Sequence, residues 1–140
     1  NFSELKVLEL FAGTGSISYE FGSRGCSPIL CVDGDMGCVN FIKKTAKEFE
    51  FDITAIKSDV FKFLEKHSGN YDIIFADPPY EYDLHPEIVN LVFERDLLTD
   101  NGGLIIEHGR ETKLENITHF QFLRTYGNVH FSFFDHTTEE

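Results

Sequence analysis

Asp77-Pro78-Pro79-Tyr80 is the stretch of this chain whose residue types restrict the possible chemistry most narrowly. Two consecutive prolines fix φ and remove two N–H donors, so the loop offers acceptors, the Asp77 carboxylate and the Pro78 carbonyl, in a stiff geometry. An aromatic ring follows immediately at Tyr80. Acceptors that hold an NH2 group beside a ring that stacks suit an exocyclic amine on a planar base. The alternative is a rigid turn with Tyr80 in a core.

A second group of residues has the spacing of a ligand crevice. Glu9, Asp33, Asp59 and Asp77 each fall at or just past the end of a short apolar run, where open α/β sheets place their ligands. Such acids can also be helix caps, a reading that stays open above all for Asp59. Together they suit a ligand rich in hydroxyls and amines. Phe11-Ala12-Gly13-Thr14-Gly15 follows the first run; Gly13 allows the backbone to approach a ligand, and a helix beginning there exposes unpaired N–H groups. Asp33 lies 20 residues beyond Gly13, where an acid can accept from ribose hydroxyls. A G-x-G alone is also compatible with a plain tight turn. Ser18 stands where the dinucleotide fingerprint G-x-G-x-x-G has its third glycine, which disfavours NAD or FAD and leaves another adenosine-bearing ligand open.

Positioning these residues requires alternating strands and helices. Val7-Leu10, Ile29-Val32, Ile53-Ile56, Tyr71-Ala76 and Leu104-Glu107 read as strands, and the nearly unbroken apolar run of the fourth predicts a central place. Helices are predicted from Ser16 as N-cap to a stop at Gly25, and over Val39, Ile42, Ala46 and Phe49, with Lys43, Lys44 and Lys47 on the solvated side. A short helix over Val60-Lys66 is capped by Ser58 or Asp59, and another begins near Pro86 with Ile88, Leu91 and Val92 inward. Asn101-Gly102-Gly103 is predicted to turn into the fifth strand. The last third alternates at Phe120 and Phe122, turns at Tyr126-Gly127-Asn128, and alternates again at Val129, Phe131 and Phe133, the pattern of a β-hairpin at one edge. The strand-helix rhythm specifies an α/β, doubly wound, mostly parallel sheet in one domain over residues 1–140.

Composition bounds the alternatives. The 140 residues carry 12 Lys+Arg against 24 Asp+Glu, a net charge of −12 that opposes attraction to phosphate. Taken alone it argues against nucleic acid. With 41% hydrophobic residues and 15 Phe the chain is too apolar for an acidic disordered segment. Apolar runs such as Ile73-Ile74-Phe75-Ala76 are far shorter than the roughly 20 residues of a membrane span. Cys26, Cys31 and Cys38 are odd in number with no C-x-x-C pair, which suits reduced, buried thiols in a cytosol. The six histidines show no ligand spacing, so no metal is expected. Neither a starting Met nor a secretory leader precedes Asn1, and the expectation is that an upstream segment is missing.

Glu9-Leu10-Phe11-Ala12-Gly13-Thr14-Gly15 followed by Asp77-Pro78-Pro79-Tyr80 resembles the paired motifs of class I S-adenosylmethionine-dependent methyltransferases that act on amino groups. More narrowly, from about Lys6 to Phe134 and including Leu104-Ile105-Ile106-Glu107-His108, the chain is similar to RsmD-type ribosomal RNA guanine-N2 methyltransferases. The resemblance implies a Rossmann-like fold: a seven-stranded, mostly parallel sheet, an antiparallel C-terminal hairpin and helices on both faces. It implies S-adenosylmethionine as cofactor and S-adenosylhomocysteine as product. Glu9 and the loop Phe11, Ala12, Gly13, Thr14 and Gly15 would hold the methionine part and Asp33 the ribose. Met36 would lie beside the adenine, whose amine would face Asp59 and the backbone after it; Gly34, Val60 and Asp77 complete the cofactor-binding set. Asp77, Pro78, Pro79 and Tyr80 would be the catalytic loop that binds the target base. The implied substrate is ribosomal RNA or the small ribosomal subunit, met by a cytoplasmic monomer with no membrane contact. Because the family carries an upstream, partly basic segment that this chain does not show, the chain alone is expected to bind RNA weakly.

Other chemistries remain beside it. DNA adenine-N6 enzymes share the Asp-Pro-Pro-Tyr motif, and protein glutamine methyltransferases typically carry Asn where this chain has Asp77. A non-catalytic cofactor-binding module is the reading from outside the enzyme class.

Overall fold

The computed structural model describes residues 4–79 and 83–137. Its elements are β1 (Val7–Leu10), α1 (Ser16–Ser23), β2 (Ile29–Asp33), α2 (Met36–Phe49), β3 (Ile53–Lys57), α3 (Val60–Lys66), β4 (Tyr71–Ala76), α4 (His85–Glu94), β5 (Leu98–Gly109), β6 (Phe120–Tyr126) and β7 (Val129–Asp135). The seven strands form one sheet in the order β3-β2-β1-β4-β5-β7-β6. β1 to β5 run parallel, and β7 enters antiparallel between β5 and β6. The order reverses between β1 and β4, which opens the crevice at their carboxyl ends.

Strand side chains alternate between the two faces, and each face has its own apolar layer. Leu8, Leu10 and Ile74 pack with Val60 and Leu64 of α3 and Ile88, Val89 and Val92 of α4. Val7, Ile29 and Cys31 pack on the opposite face with Val39 and Ile42 of α2, with Phe21 of α1 against them. Glu9 therefore shares its face with Val7 and points toward α1, which decides its partners. Among the described residues no helix is long and apolar enough to cross a membrane.

Several expectations are corrected. Ser16 is the first helical residue rather than the cap; Gly15 holds the cap position at φ 86°, a left-handed conformation that glycine adopts without strain. α1 ends at Ser23 with Arg24 as its cap, and the expected stop, Gly25, follows in the left-handed region: the Gly25 N–H donates to the Gly22 carbonyl and the Cys26 N–H to the Phe21 carbonyl, closing the turn. Phe49 is exposed, because α2 ends at Glu50 in the left-handed region and the chain turns away; Phe49 stacks instead on Phe51 at 5.9 Å. Leu91 is only half-buried, and Val89 takes the inward place beside Ile88 and Val92. Cys26 and Cys31 are buried, whereas Cys38 is half-buried; all three are free thiols.

The largest difference is at β5. Asn101-Gly102-Gly103 is not a turn before the strand but part of it. Pairing with β4 jumps from Leu98 opposite Tyr71 to Gly103 opposite Ile73, so residues 99–102 are accommodated against Asp72 alone. Asp72 holds the irregularity: its carboxylate accepts from the Thr99 hydroxyl at 3.0 Å and from the Lys6 N–H at 2.9 Å. A side chain at Gly102 would meet the Tyr71 carbonyl oxygen at 2.8 Å, so the glycine is required by close approach.

Candidate active site at the strand ends

The loop from β1 to α1 is shaped by three residues with positive φ: Phe11 (58°), Gly13 (57°) and Gly15 (86°). The two glycines serve different ends. A Cβ at Gly15 would come within 2.9 Å of the Tyr19 ring and 3.0 Å of Ile42, so Gly15 permits packing under the loop. A Cβ at Gly13 would meet nothing within 4 Å, so Gly13 faces open space where a ligand can approach the backbone. Ala12 is buried and donates its N–H to the Val32 carbonyl, and Thr14 is exposed beside Gly13.

Glu9 forms the floor of this loop at 3% exposure. One carboxyl oxygen accepts from the Ser18 hydroxyl at 2.6 Å and from the Ser18 N–H at 3.2 Å. Burial pushes the Glu9 pKa up to about 7, against the lowering effect of those two bonds, and the neighbouring Asp77 and Asp33 add to the rise. Ser18 spends its single hydroxyl proton on Glu9. Cys31, whose thiol burial pushes up to about 12, is therefore the donor in its 3.0 Å contact with the Ser18 oxygen. The residue that departs from the dinucleotide fingerprint is thus the buried partner of Glu9.

Asp33 ties two loops together. Its two carboxylate oxygens accept from the Gly13 N–H at 3.0 Å and the Asp35 N–H at 2.9 Å. An ionised carboxylate has about four acceptor positions, so two remain for hydroxyl groups. Gly34 is open, with nothing within 4 Å of where a Cβ would be. Met36 begins α2 at 47% exposure, capped by Asp35. Asp59 stands farther out and is the N-cap of α3, accepting from the Lys62 N–H at 3.0 Å. The cap reading of Asp59 therefore holds in this structure, with its second oxygen directed to no cap bond. Val60 follows as the first residue of α3, where helical N–H groups lack internal partners.

Asp77, Pro78 and Pro79 line a recess of about 160 Å3 together with His85, Glu107, His108, Gly109, Thr112, Asn128 and Val129. The Asp77 N–H donates to the Leu10 carbonyl at 3.4 Å, which seats this loop beside the β1 loop. Asp77 reaches solvent, yet the surrounding protein raises its pKa above the usual carboxylate value by desolvation. Tyr80 lies outside the described residues. The fold thus gathers Glu9, Asp33 and Asp77 within electrostatic reach, places the open backbone of Gly13 beside them, and sets the Pro-Pro loop against a recess.

Glu107, His85 and His108 are site residues that motif reasoning did not assign a role. The His108 ring donates through Nδ1 to the Gly109 carbonyl at 2.8 Å, which leaves Nε2 to accept from the Ser132 hydroxyl at 2.7 Å. That is the neutral tautomer, in keeping with burial that lowers the His108 pKa. His85, also lowered by burial, packs edge-on at 6.2 Å. Only Glu107-His108 carried a sequence signal, as the acid and imidazole that follow the apolar run of β5.

The acids suit a ligand with cationic and hydroxyl-bearing parts, and the acceptor-rich loop suits an amine beside it. Comparison with known proteins gives the family. YlbH of Bacillus subtilis is 31% identical over 112 residues, covering 76% of this chain and 61% of its own. The protein named Ribosomal RNA small subunit methyltransferase D in Buchnera aphidicola is 28% identical, over 71% of this chain and 52% of its own. This chain therefore spans between half and two thirds of the length of these curated relatives. Among solved structures, a T. thermophilus 16S rRNA N2 G1207 methyltransferase in complex with AdoMet and guanosine superposes with a TM-score of 0.79 at 23% identity, over 95% of this chain and 38% of its own, a likeness of fold. Residues 1–135 match the family described as Conserved hypothetical protein 95, and the chain belongs to that family, of the RsmD-type class I methyltransferases.

Proposed function

We propose that this protein transfers a methyl group from S-adenosylmethionine to an exocyclic amine of a nucleic-acid base, and that the base is guanine, modified at N2, in small-subunit ribosomal RNA. The observation that carries this reading is the junction of two sites: the acidic floor of Glu9 and Asp33 under the open Gly13 backbone meets the Asp77-Pro78-Pro79 recess at Asp77. The relatives' names for ribosomal RNA methylation support the substrate. S-adenosylmethionine, when bound, supplies a methyl group activated by a sulfonium.

The residues present fit that cofactor. Glu9 near neutrality gains charge when a cationic ligand arrives, Asp33 keeps acceptor positions for ribose hydroxyls, and the adenine is assigned to Met36, Asp59 and Val60. Asp77 and the Pro78 carbonyl accept the two N–H bonds of the target amine. A base amine is a poor nucleophile because its lone pair is delocalised into the ring. Acceptors at both hydrogens localise that pair and aim it for in-line attack, so positioning and electrostatics provide the acceleration. Asp77 need not be a strong base, since the amine proton turns acidic as the nitrogen gains its methyl group. The role assigned to Tyr80 is to stack on the base.

The test is transfer of radiolabelled methyl to small ribosomal subunits, naked ribosomal RNA and DNA by the full-length protein. Label in ribosomal RNA guanine is the expected result; label in DNA adenine or in protein glutamine would replace the substrate assignment. Asp77→Ala is expected to abolish turnover while cofactor affinity stays within severalfold, and retained turnover would remove Asp77 from its role. Tyr80→Ala should lose roughly 1–3 kcal/mol of base binding and Tyr80→Phe little; equal losses would show that the hydroxyl, not stacking, matters. With a net charge of −12, the chain by itself should bind RNA weakly, and more tightly when the ribosomal particle supplies attraction.

A further inference from the structure

The recess holds more acceptors than one amine requires. Asp77 and Pro78 already supply partners for both hydrogens of an NH2 group, and Glu107 adds another carboxylate to the same wall. Ala76 of β4 pairs with Ile106 of β5, so Asp77, just past the end of β4, and Glu107, still within β5, occupy matching positions one residue beyond that pair on adjacent parallel strands. Glu107 is half-buried, and no hydrogen bond or ion pair engages its carboxylate among the described residues. Burial first and the charge of Asp77 second raise its pKa. A partly desolvated carboxylate left without a protein donor calls for a donor on the ligand.

The donor patterns of the bases decide which ligand provides it. Guanine presents adjacent donors on one edge, N1–H and the N2 amine, followed by the O6 acceptor. Adenine and cytosine pair their amine with an acceptor nitrogen, which would face the Glu107 lone pairs and be repelled. Thr112 and Asn128, in the same recess, have side-chain donors suited to O6.

We propose that Glu107 is a specificity-determining residue that accepts the N1–H of the target base while Asp77 and Pro78 hold its amine, so that the recess selects a purine with donors at both N1 and N2. The proposal rests on the base-amine reading above and adds the group that distinguishes guanine from the other amine-bearing bases. The N1 and N2 contacts together make a paired readout of one base edge, which discriminates by roughly 5- to 150-fold.

The test uses the full-length protein and U-rich RNA strands carrying a single guanine, hypoxanthine or 2-aminopurine, compared by competition binding in the presence of S-adenosylhomocysteine. Hypoxanthine keeps N1–H and lacks the amine; 2-aminopurine keeps the amine and offers an acceptor at N1. The wild-type protein should prefer guanine to both. Glu107→Gln, whose amide can donate to an acceptor at N1, should lose or reverse the preference for guanine over 2-aminopurine by at least tenfold, and should leave guanine against hypoxanthine unchanged. Glu107→Ala should bring the guanine to 2-aminopurine ratio toward one without reversing it. An unchanged guanine to 2-aminopurine ratio in both variants overturns the assignment of Glu107, as would an equal loss for all three bases. A wild-type protein that binds guanine no better than hypoxanthine instead counts against the amine reading of Asp77 and Pro78, a separate arm of the same measurement.

Discussion

Glu9→Gln is expected to stabilise this protein while weakening its hold on a cationic cofactor. The Glu9 carboxyl titrates at about 7 in the folded chain against 4.5 ordinarily. At about 1.4 kcal/mol per pKa unit, that rise corresponds to roughly 3 kcal/mol between its neutral and ionised forms. The sign follows from which state holds the proton more tightly. The folded state does, so the stabilising contribution is complete below the unfolded value of 4.5 and is lost as pH rises toward about 7. Glutamine keeps a carbonyl oxygen for the Ser18 N–H and hydroxyl, and has no charge to desolvate. Wild type and variant should therefore be similar in stability near pH 4.5. The variant should gain on the wild type with rising pH, reaching a difference of roughly 2–3 kcal/mol at pH 8. Urea unfolding across this range, with equal slopes for the two proteins, measures the gap, and titrations common to both chains cancel. A gap that does not change with pH would refute the buried, near-neutral carboxyl. The same substitution removes the charge that answers a sulfonium or ammonium, so calorimetric affinity for S-adenosylmethionine should fall at pH 8 as stability rises.

Three further outcomes follow from the geometry. Asp59→Ala should cost about 0.5–2 kcal/mol through loss of the α3 cap, whereas Asp59→Ser keeps a cap and removes the carboxylate; thermal melts and cofactor titration of the pair separate the two roles of Asp59. Gly15→Ala should lower stability by about 1–3 kcal/mol, since the left-handed conformation and the close Tyr19 ring act together. Gly13→Ala carries similar backbone strain with nothing to strike, so its thermal melt should fall less, while cofactor affinity should suffer more than in Gly15→Ala. Ile74→Ala, at the centre of the β4 core, should cost about 2–5 kcal/mol in urea unfolding without a specific effect on affinity.

Much of the fold is legible in the sequence because its signals are local. The short apolar runs of β1 to β4, the near-3.6 patterns of α2 to α4 and the period-two alternation of β6 and β7 can be read within windows of a few residues, and the β6 to β7 turn carries Gly127 at its tip. The boundaries that misled were those set by distant partners. Asn101-Gly102-Gly103 has turn composition, yet it lies inside β5 because Asp72 and the Tyr71 carbonyl shape that stretch from another strand. Phe49 fits the apolar face of α2 by spacing and is exposed because the chain leaves the helix at Glu50.

The site divides in the same way. The order and types of Glu9, the Phe11 to Gly15 loop, Asp33, Asp59 and Asp77 are enough to specify an acidic crevice beside an acceptor-rich loop, because each acid sits at or just past the end of a recognisable strand. What those residues do to one another depends on distances across the sheet, which no spacing along the chain encodes. Only the folded structure brings Ser18 beneath Glu9, hands the Gly13 N–H to Asp33, chooses Asp59 over Ser58 as the α3 cap and sets Glu107 beside Asp77. The physical reason is that composition determines how many charges the chain carries, whereas burial and proximity, properties of the packed sheet, determine which of them ionise and which are left with an acceptor to offer a ligand.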